Sequence, residues 1–277
     1  MNIKSFLLTL LTFSVIIPGK AQDAIPEFMP KGQFYFYWGY NRSWYSKSDI
    51  KFFSDQARFT LFDVKATDRQ SPLSFSDYVL NPTIPQFNIR LGYSVTKNLA
   101  VSFGYDHMKY VVTRGQTVKM TGQIAYTPEN GAYAGCYDNA DITIEPEFLR
   151  YEHTNGLNYL SADADYFLRM WRSKSGLFDV AFSSGYSLGF LYPRSDVDVF
   201  DVEGVNVFHM AGWGTAVSAG IKMKIGEHFF INWGNRGGFM HMPSVLCREN
   251  RFIAQQKFWF FETAFMVGYN FSFKKKS

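Results

Sequence analysis

The C-terminal segment from Phe258 to Phe273 alternates between apolar side chains and side chains of mixed polarity. Every second residue from Trp259 onward is aromatic, Val or Thr, whereas the residues between them include Glu262 and Asn270. A period of two over this length predicts a β-strand. Because one face is apolar and the other partly polar, the pattern indicates a strand with lipid on one side and the interior of a β-barrel on the other.

Seven further segments show the same alternation. They begin near Gln33, Gln86, Leu99, Leu157, Phe178, Val207 and Phe229. In the clearest of them, residues 86–95, Ile89 and Leu91 are predicted to face lipid, and Asn88 and Arg90 to face the interior. Together with the C-terminal segment, these patterns predict eight strands.

The connections between these strands alternate in length. Four are long, 46–85, 113–156, 192–206 and 237–256, and three are short, 96–98, 171–176 and 226–227. Long external loops and short periplasmic turns are typical of antiparallel transmembrane barrels. Residues 57–66 also resemble a strand and are predicted to lengthen the first external loop. If they crossed the membrane instead, one more crossing would be needed and the barrel would have about ten strands.

The N-terminus has the features of a secretory signal peptide, residues 1–21. Lys4 precedes an apolar run, 6–17, and the small residues Gly19 and Ala21 mark the cleavage site. The predicted barrel domain is therefore 22–277. Since no apolar run of about 18–20 residues follows, the mature chain is expected to be an extracytoplasmic soluble protein or a membrane barrel.

Composition favours the barrel over the soluble protein. Aromatic residues make up 19% of the chain, with 29 Phe and 17 Tyr, yet the mean hydropathy is only −0.15. Alternating lipid-facing and interior residues produce this combination, whereas transmembrane helices would raise the mean. Without Lys4 and Lys20 the chain has 26 basic and 24 acidic residues. This balance gives no reason to expect a nucleic-acid partner.

An eight-stranded barrel is just wide enough to be filled by its own side chains. The alternation places charges of both signs inside: Arg90, Asp106, Asp163, Asp165, Asp179, Lys222, Arg236 and Glu262. Because an unpaired buried charge is costly, we expect these residues to form a polar network across the lumen. A proton or ion path along the same residues is the alternative.

The two cysteines, Cys136 and Cys247, fall in long connections on the same predicted side of the membrane. In an oxidising compartment they could pair as a disulfide. Two separate free thiols are the alternative.

No catalytic, metal or cofactor site emerges from the sequence. Asp106 and His107 resemble an acid–histidine pair, but alternation sends adjacent side chains to opposite faces. His107 and Lys109 are expected near the outer rim, where they would meet lipid phosphates. The carboxylates between Asp196 and Glu203 alternate with Val. This pattern predicts a strand projecting beyond the membrane with solvated acids, rather than a Ca²⁺ site.

Several segments, 39–50, 59–66, 106–110 and the aromatic final strand, resemble small outer-membrane β-barrel proteins of Bacteroidota type. The resemblance covers essentially the whole mature chain and implies an integral outer-membrane location. The architecture in turn implies insertion by the barrel-assembly machinery. The resemblance brings no cofactor and no functional residues. One departure is that Phe273 is followed by a Lys-rich tail instead of ending the chain.

These observations lead to an expected function. The protein is predicted to be a monomeric outer-membrane barrel with a filled lumen, in contact with outer-membrane lipid and lipopolysaccharide. It would act through its external loops in surface interaction or envelope integrity, and not as an enzyme. A narrow, porin-like channel for small or hydrophobic solutes and a membrane-embedded lipid A or phospholipid hydrolase are the two alternatives.

Overall fold

The computed structural model describes residues 28–69, 85–248 and 252–273. Its strands are β1 Phe34–Tyr45, β2 Ser48–Phe53, β3 Ala57–Val64, β4 Ala66–Thr67, β5 Phe87–Ser94, β6 Leu99–Val112, β7 Thr117–Ile124, β8 Gly135–Thr143, β9 Leu149–Arg172, β10 Phe178–Leu191, β11 Asp196–Val199, β12 Gly212–Ile225, β13 Phe229–Arg248 and β14 Phe252–Phe271. Among these residues, no helix is long and apolar enough to cross a membrane. The predicted signal peptide lies outside the described residues and stays a prediction.

Eight strands close into an antiparallel ring in the order β1, β5, β6, β9, β10, β12, β13 and β14. The ring closes between the first and last strands, where Phe34 pairs with Phe271 and Tyr45 with Phe260. The prediction of eight strands is confirmed, and β3, which covers most of residues 57–66, lies outside the ring. Full closure leaves no free strand edge in the ring, which is what a sheet in lipid requires.

The outer face of the ring carries a band of exposed apolar side chains. Its members include Phe36, Trp38, Leu91, Val101, Phe103, Leu168, Phe182, Leu188, Phe190, Val217, Trp233, Phe265 and Val267. Trp44, Trp213 and Trp259 lie toward the loop side of this band, where aromatic residues typically mark the edge of the hydrocarbon. A continuous exposed band of this kind is stable in lipid and would aggregate in water.

Beyond the band, on the side of the long connections, the sheet continues as a second region that we call the extension. It contains β2, β3, β7, β8 and β11 together with the loop-side ends of β6, β9, β13 and β14. The long connections are present as predicted, but they contain strands of their own: 113–156 includes the β7–β8 hairpin and the start of β9. The segment 237–256 is likewise mostly strand, because β13 continues to Arg248 and β14 begins at Phe252.

The extension has an apolar core. Its fully buried side chains include Ile50, Phe52, Leu61, Val64, Met120, Tyr151, Val197, Met240, Met242, Val245 and Ala254. The outward side chains between them are mainly polar or charged, as with Lys51 on β2, Arg58 on β3 and Lys119 on β7. This distribution is that of a water-soluble sheet, with the apolar face toward the core and the polar face toward solvent.

Candidate functional site

The charged side chains of the lumen converge on Arg90 of β5, which is 1% exposed. Its Nη1 and Nη2 donate to the two carboxylate oxygens of Asp106 on β6, at 2.6 and 2.8 Å. Its Nε lies 2.7 Å from Asp163 on β9. Arg90 therefore ties three neighbouring strands together through a bidentate pair and a second ion pair.

Arg236 of β13 completes this cluster from the opposite wall. Its Nη1 donates to Asp106, and its Nη2 lies 3.6 Å from Asp163. Two arginines and two aspartates thus alternate across the lumen, so that each buried charge contacts two of the opposite sign. Ser161 also donates to Asp163, at 3.0 Å.

Glu262 of β14 joins the cluster through the side-chain amide of Asn88 on β5. Asn88 donates to Asp106 at 2.5 Å and to Glu262 at 3.1 Å. Glu262 also lies directly opposite Arg236 in the β13–β14 register. Asn88 had been predicted to face the interior, but its role as a bridge depends on which residues lie across the lumen.

The other three predicted lumen charges lie outside this cluster. Asp179 forms a bidentate pair with Arg169 at 2.7 and 2.6 Å. Lys222 is 1% exposed, and its Nζ lies 3.8 Å from the ring centre of Phe230 and 4.6 Å from that of Tyr35. This is a cation–π arrangement. Asp165 lines a small cavity between these groups.

The turn side of the lumen is closed by the residues that precede β1. Phe28 and Met29 are 2% and 1% exposed. Lys224 Nζ donates to the carbonyl of Phe28 at 2.7 Å, and Lys222 Nζ contacts the sulfur of Met29 at 3.6 Å. No periodicity in the sequence indicates that this segment folds into the barrel.

The space left inside the lumen is small. The cavity lined by Tyr37, Asp165 and Arg236 has a volume of about 50 Å³, which holds a few water molecules and no larger solute. Large side chains pack against glycines: a Cβ on Gly92 would lie 2.0 Å from Cζ of Tyr35. Toward the loop side, Tyr159 and Phe260 cover the charged cluster and begin the extension's core.

The structure separates Asp106 and His107, as alternation predicted. His107 is nevertheless only 2% exposed. It stacks on Phe87 with ring centres 5.2 Å apart, and its Nδ1 lies 2.9 Å from Asn158 Oδ1. Lys109 is 5% exposed. The prediction that these two side chains meet lipid phosphates is therefore wrong for this structure, because neighbouring side chains cover them.

A buried serine–histidine pair lies in the extension. His153 Nδ1 is 2.9 Å from Ser195 Oγ, and Gln256 Nε2 is 3.3 Å from His153 Nε2. Both His153 and Ser195 are completely buried, so no substrate reaches them. Burial lowers the pKa of His153 to about 3, with a smaller contribution from His209. The imidazole is therefore a neutral structural group linking β9, β14 and the residue before β11.

The predicted disulfide is not formed in this structure. Cys136 is exposed on β8, whereas Cys247 is buried on β13, and both are free thiols. Four strands separate β8 from β13 in the order β13, β14, β2, β3, β7, β8. The five inter-strand spacings along this path, at about 4.8 Å each, amount to on the order of 24 Å along the sheet. Burial raises the pKa of the Cys247 thiol to about 12.

The acidic segment forms the predicted strand, β11, but its carboxylates are not simply solvated. Arg150 of β9 lies 2.6 Å from Asp196 and 2.9 Å from Asp198. These ion pairs dock β11 onto β9, beside the backbone pairing of the same residues. Within the described part of the chain, no group of three or more His, Cys, Asp or Glu residues could hold a metal ion.

No protein-family profile matches the chain, and no curated protein sequence does. Solved structures that align with it include Neisserial surface protein A, from Neisseria, at 11% identity over 87% of this chain and 98% of that chain, with a TM-score of 0.37. The outer membrane protein OprG from Pseudomonas aeruginosa aligns at 13% identity over 88% and 97%, with a TM-score of 0.39. Ail, the attachment invasion locus protein of Yersinia pestis, aligns at 12% identity over 87% and 99%, with a TM-score of 0.28. At these identities and scores the similarity extends no further than the type of fold, and the eight-strand ring itself establishes the barrel.

Proposed function

We propose that the protein is a monomeric, integral outer-membrane barrel that acts at the cell surface through its extension, in surface interaction or envelope integrity. The observation that carries this proposal is that the lumen is closed at three levels. Phe28 and Met29 fill its turn side, the Arg90 cluster fills its middle, and the apolar core of the extension covers its loop side. In the described part of the chain, the accessible surface on the loop side is the outer surface of the folded extension.

The predicted orientation supports an external extension. Short periplasmic turns and long external segments are the rule for outer-membrane barrels, and the predicted signal peptide would carry the chain across the inner membrane. Lipid and lipopolysaccharide would surround the band, and the barrel-assembly machinery would insert it. Membership of a Bacteroidota-type group of barrels remains part of this proposal.

No enzymatic role is proposed. Asp106 is engaged by two arginines inside the lumen, whereas His107 lies on the other face of β6. The Ser195–His153 pair is enclosed in the apolar core. Neither arrangement presents a nucleophile together with its base to a lipid.

The first test is conductance in planar lipid bilayers, with heat-dependent gel mobility to show that the inserted protein is folded. We expect no current steps from the wild-type protein. A variant with Phe258→Ala and Phe260→Ala, which removes two rings from the seal, serves as the opened counterpart. Reproducible wild-type steps would replace this proposal with a narrow channel.

The second test is labelling of intact cells with a membrane-impermeant maleimide. Cys136 is exposed on β8 and should react, whereas Cys247 is fully buried and should not. A Cys136→Ser variant should therefore remain unlabelled. If Cys136 reacts only after the cells are permeabilised, the extension faces the periplasm and a surface role is excluded.

A further inference from the structure

Four exposed apolar side chains lie above the lipid-facing band on one side of the barrel: Tyr192, Val207, Phe208 and Met210. We call them the apolar shelf. Tyr192 is 42% exposed, Val207 49%, Phe208 48% and Met210 56%. The outward faces of β2, β3 and β7 in the extension carry mainly polar and charged side chains. The shelf is therefore the part of this region that resembles the band below it.

The shelf is continuous with the band. Leu188 and Phe190 are exposed on the outer face of β10, and Tyr192 follows on the same face immediately after that strand. Phe190 pairs with Trp213, one of the aromatic residues at the loop-side edge of the band. The apolar column on β10 thus rises without a break from the middle of the band into the shelf.

The shelf is held in place by backbone hydrogen bonds. His209 N donates to the carbonyl of Pro193 at 3.2 Å, and Ala211 N donates to that of Leu191 at 2.9 Å. The rings of Tyr192 and Phe208 stack with centres 5.8 Å apart at an interplanar angle of 7°. Since the segment is pinned in this way, its apolar side chains are presented outward by the fold.

A cation lies at the upper edge of the shelf. The guanidinium of Arg194 lies 5.9 Å from the ring centre of Phe208, and its Nε donates to Asn206 Oδ1 at 2.9 Å. The apolar and aromatic side chains lie below the arginine, just as acyl chains lie below the phosphates in a membrane leaflet.

We propose that the apolar shelf is a lipid-docking surface. It would extend the membrane contact on this side of the barrel, placing Val207, Phe208 and Met210 against acyl chains and Arg194 against the phosphate of an outer-leaflet lipid. This inference rests on the proposed function, since it takes the loop side to face the outer leaflet. The lipid-facing band would then be taller along β10 and β12 than along β5 and β6.

The test uses nitroxide side chains attached to single cysteines in a Cys136→Ser background. One label replaces Phe208 on the shelf, one replaces Phe103 in the band, and one replaces Phe62. Phe62 is a matched control because it is an exposed Phe, 36% accessible, on the outer face of β3 in the extension. Cys247 stays in place because its buried thiol should resist labelling.

The readout is the accessibility of each label to oxygen, which concentrates in lipid, relative to a water-soluble nickel chelate. In vesicles of phosphatidylcholine and phosphatidylglycerol, the oxygen-to-nickel ratio at position 208 should match that at 103 and exceed that at 62 several-fold. A ratio at 208 equal to that at 62 overturns the shelf while leaving the barrel intact. A low ratio at 103 as well would overturn the proposed membrane barrel itself.

The role of Arg194 is tested by lipid charge. Adding phosphatidylglycerol to phosphatidylcholine vesicles should raise the oxygen-to-nickel ratio at position 208, and Arg194→Gln should abolish that rise. Arg58→Gln, on the solvent face of β3, should leave it unchanged. A rise that survives Arg194→Gln would overturn the assignment of the phosphate contact to Arg194.

Discussion

The barrel and the extension are parts of one sheet with opposite distributions of polarity. In the barrel, Phe103 and Val101 face outward while Arg90 and Asp106 lie inside. In the extension, Lys51 and Arg58 face outward while Ile50 and Leu61 lie inside. Strands such as β14 pass from one regime to the other without interruption. The medium that surrounds the outer face, lipid for the barrel and water for the extension, therefore decides whether polar or apolar side chains lie inside. Strand geometry is the same in both regions.

The comparison shows how differently two interiors achieve stability. The lumen is held by ion pairs whose members must all be present, because the few water molecules that fit in its cavity cannot solvate an unpaired charge as bulk water does. The extension is held by apolar burial, which is graded and roughly proportional to the area removed from water. Substitutions in the two interiors should therefore differ in kind as well as in size.

The largest effect is expected from Asp106→Ala, which leaves the two buried arginines without their shared partner. Removing one member of a buried ion-pair cluster typically destabilises by about 3–5 kcal/mol. Urea unfolding in detergent or vesicles, followed by gel mobility, measures the loss. Asp141→Ala is the matched control, since Asp141 pairs with Lys119 at 2.9 Å but is 67% exposed. Such a surface pair contributes up to about 1 kcal/mol, and equal losses at the two sites would contradict this account.

How much of this could be read from the sequence differs between the two regions. The alternation of Ile89 and Leu91 with Asn88 and Arg90 predicts both the strand and its two faces, because lipid tolerates few polar residues. That Arg90 and Arg236 would share the same two aspartates across the lumen could not be predicted, because this depends on the register and stagger of the closed ring. Arg169, by contrast, follows the same alternation as Asp163 and Asp165 and could have been placed inside.

The extension was missed for a different physical reason. Its hairpin β7–β8 alternates in the ordinary way, with Val118 and Met120 buried and Lys119 exposed, but its Gly-, Thr- and Asn-rich composition is also typical of loops. Within the extension, only β3 and β11 were predicted as strands. The sequence also gives no periodic pattern from which the contact of Phe28 and Met29 with the lumen could be predicted, because only these two adjacent residues fill the end of the barrel.

The second prediction concerns the apolar interior of the extension. Phe52→Ala should destabilise the extension by about 3–5 kcal/mol, because Phe52 is fully buried against Phe59 and Tyr151. The effect should be local, so that hydrogen exchange quickens in β2 and β3 while the ring keeps its heat-dependent mobility. Phe62→Ala, on the solvent face, should change little. Loss of the ring's mobility shift in Phe52→Ala would show that the two regions fold as one cooperative unit.

The third prediction compares the effect of an introduced arginine on the outer face of the barrel with its effect on the outer face of the extension. Val101→Arg places a charge in the lipid-facing band, where Val101 is 43% exposed, and should cost about 2–4 kcal/mol near the bilayer midplane. Thr60→Arg, on the outer face of β3, should change the unfolding free energy by less than about 0.5 kcal/mol. Unfolding in vesicles measures both. A cost at position 60 as large as that at 101 would mean that the extension also lies in lipid.

The smallest effect is a pH dependence of the extension's stability. The folded pKa of His153, about 3, lies below the unfolded value of about 6.5. Between these two pH values the unfolded chain binds a proton that the folded chain does not. The stability from the neutral imidazole is therefore complete above about pH 6.5 and declines as the pH falls toward 3.

Between pH 7 and pH 5 this linkage amounts to about 2 kcal/mol, and it should vanish in His153→Gln, which keeps an amide for Ser195 and Gln256. The measurement is the difference in unfolding free energy of the extension between the two pH values, wild type against variant, by hydrogen exchange. An identical pH slope in the two proteins would mean that His153 gains a proton without unfolding the extension, and hence that water reaches it. Because the rest of the core around His153 is apolar, water could reach this side chain only if the extension opened. The apolar core that covers the loop side of the lumen would then open and close in the folded protein.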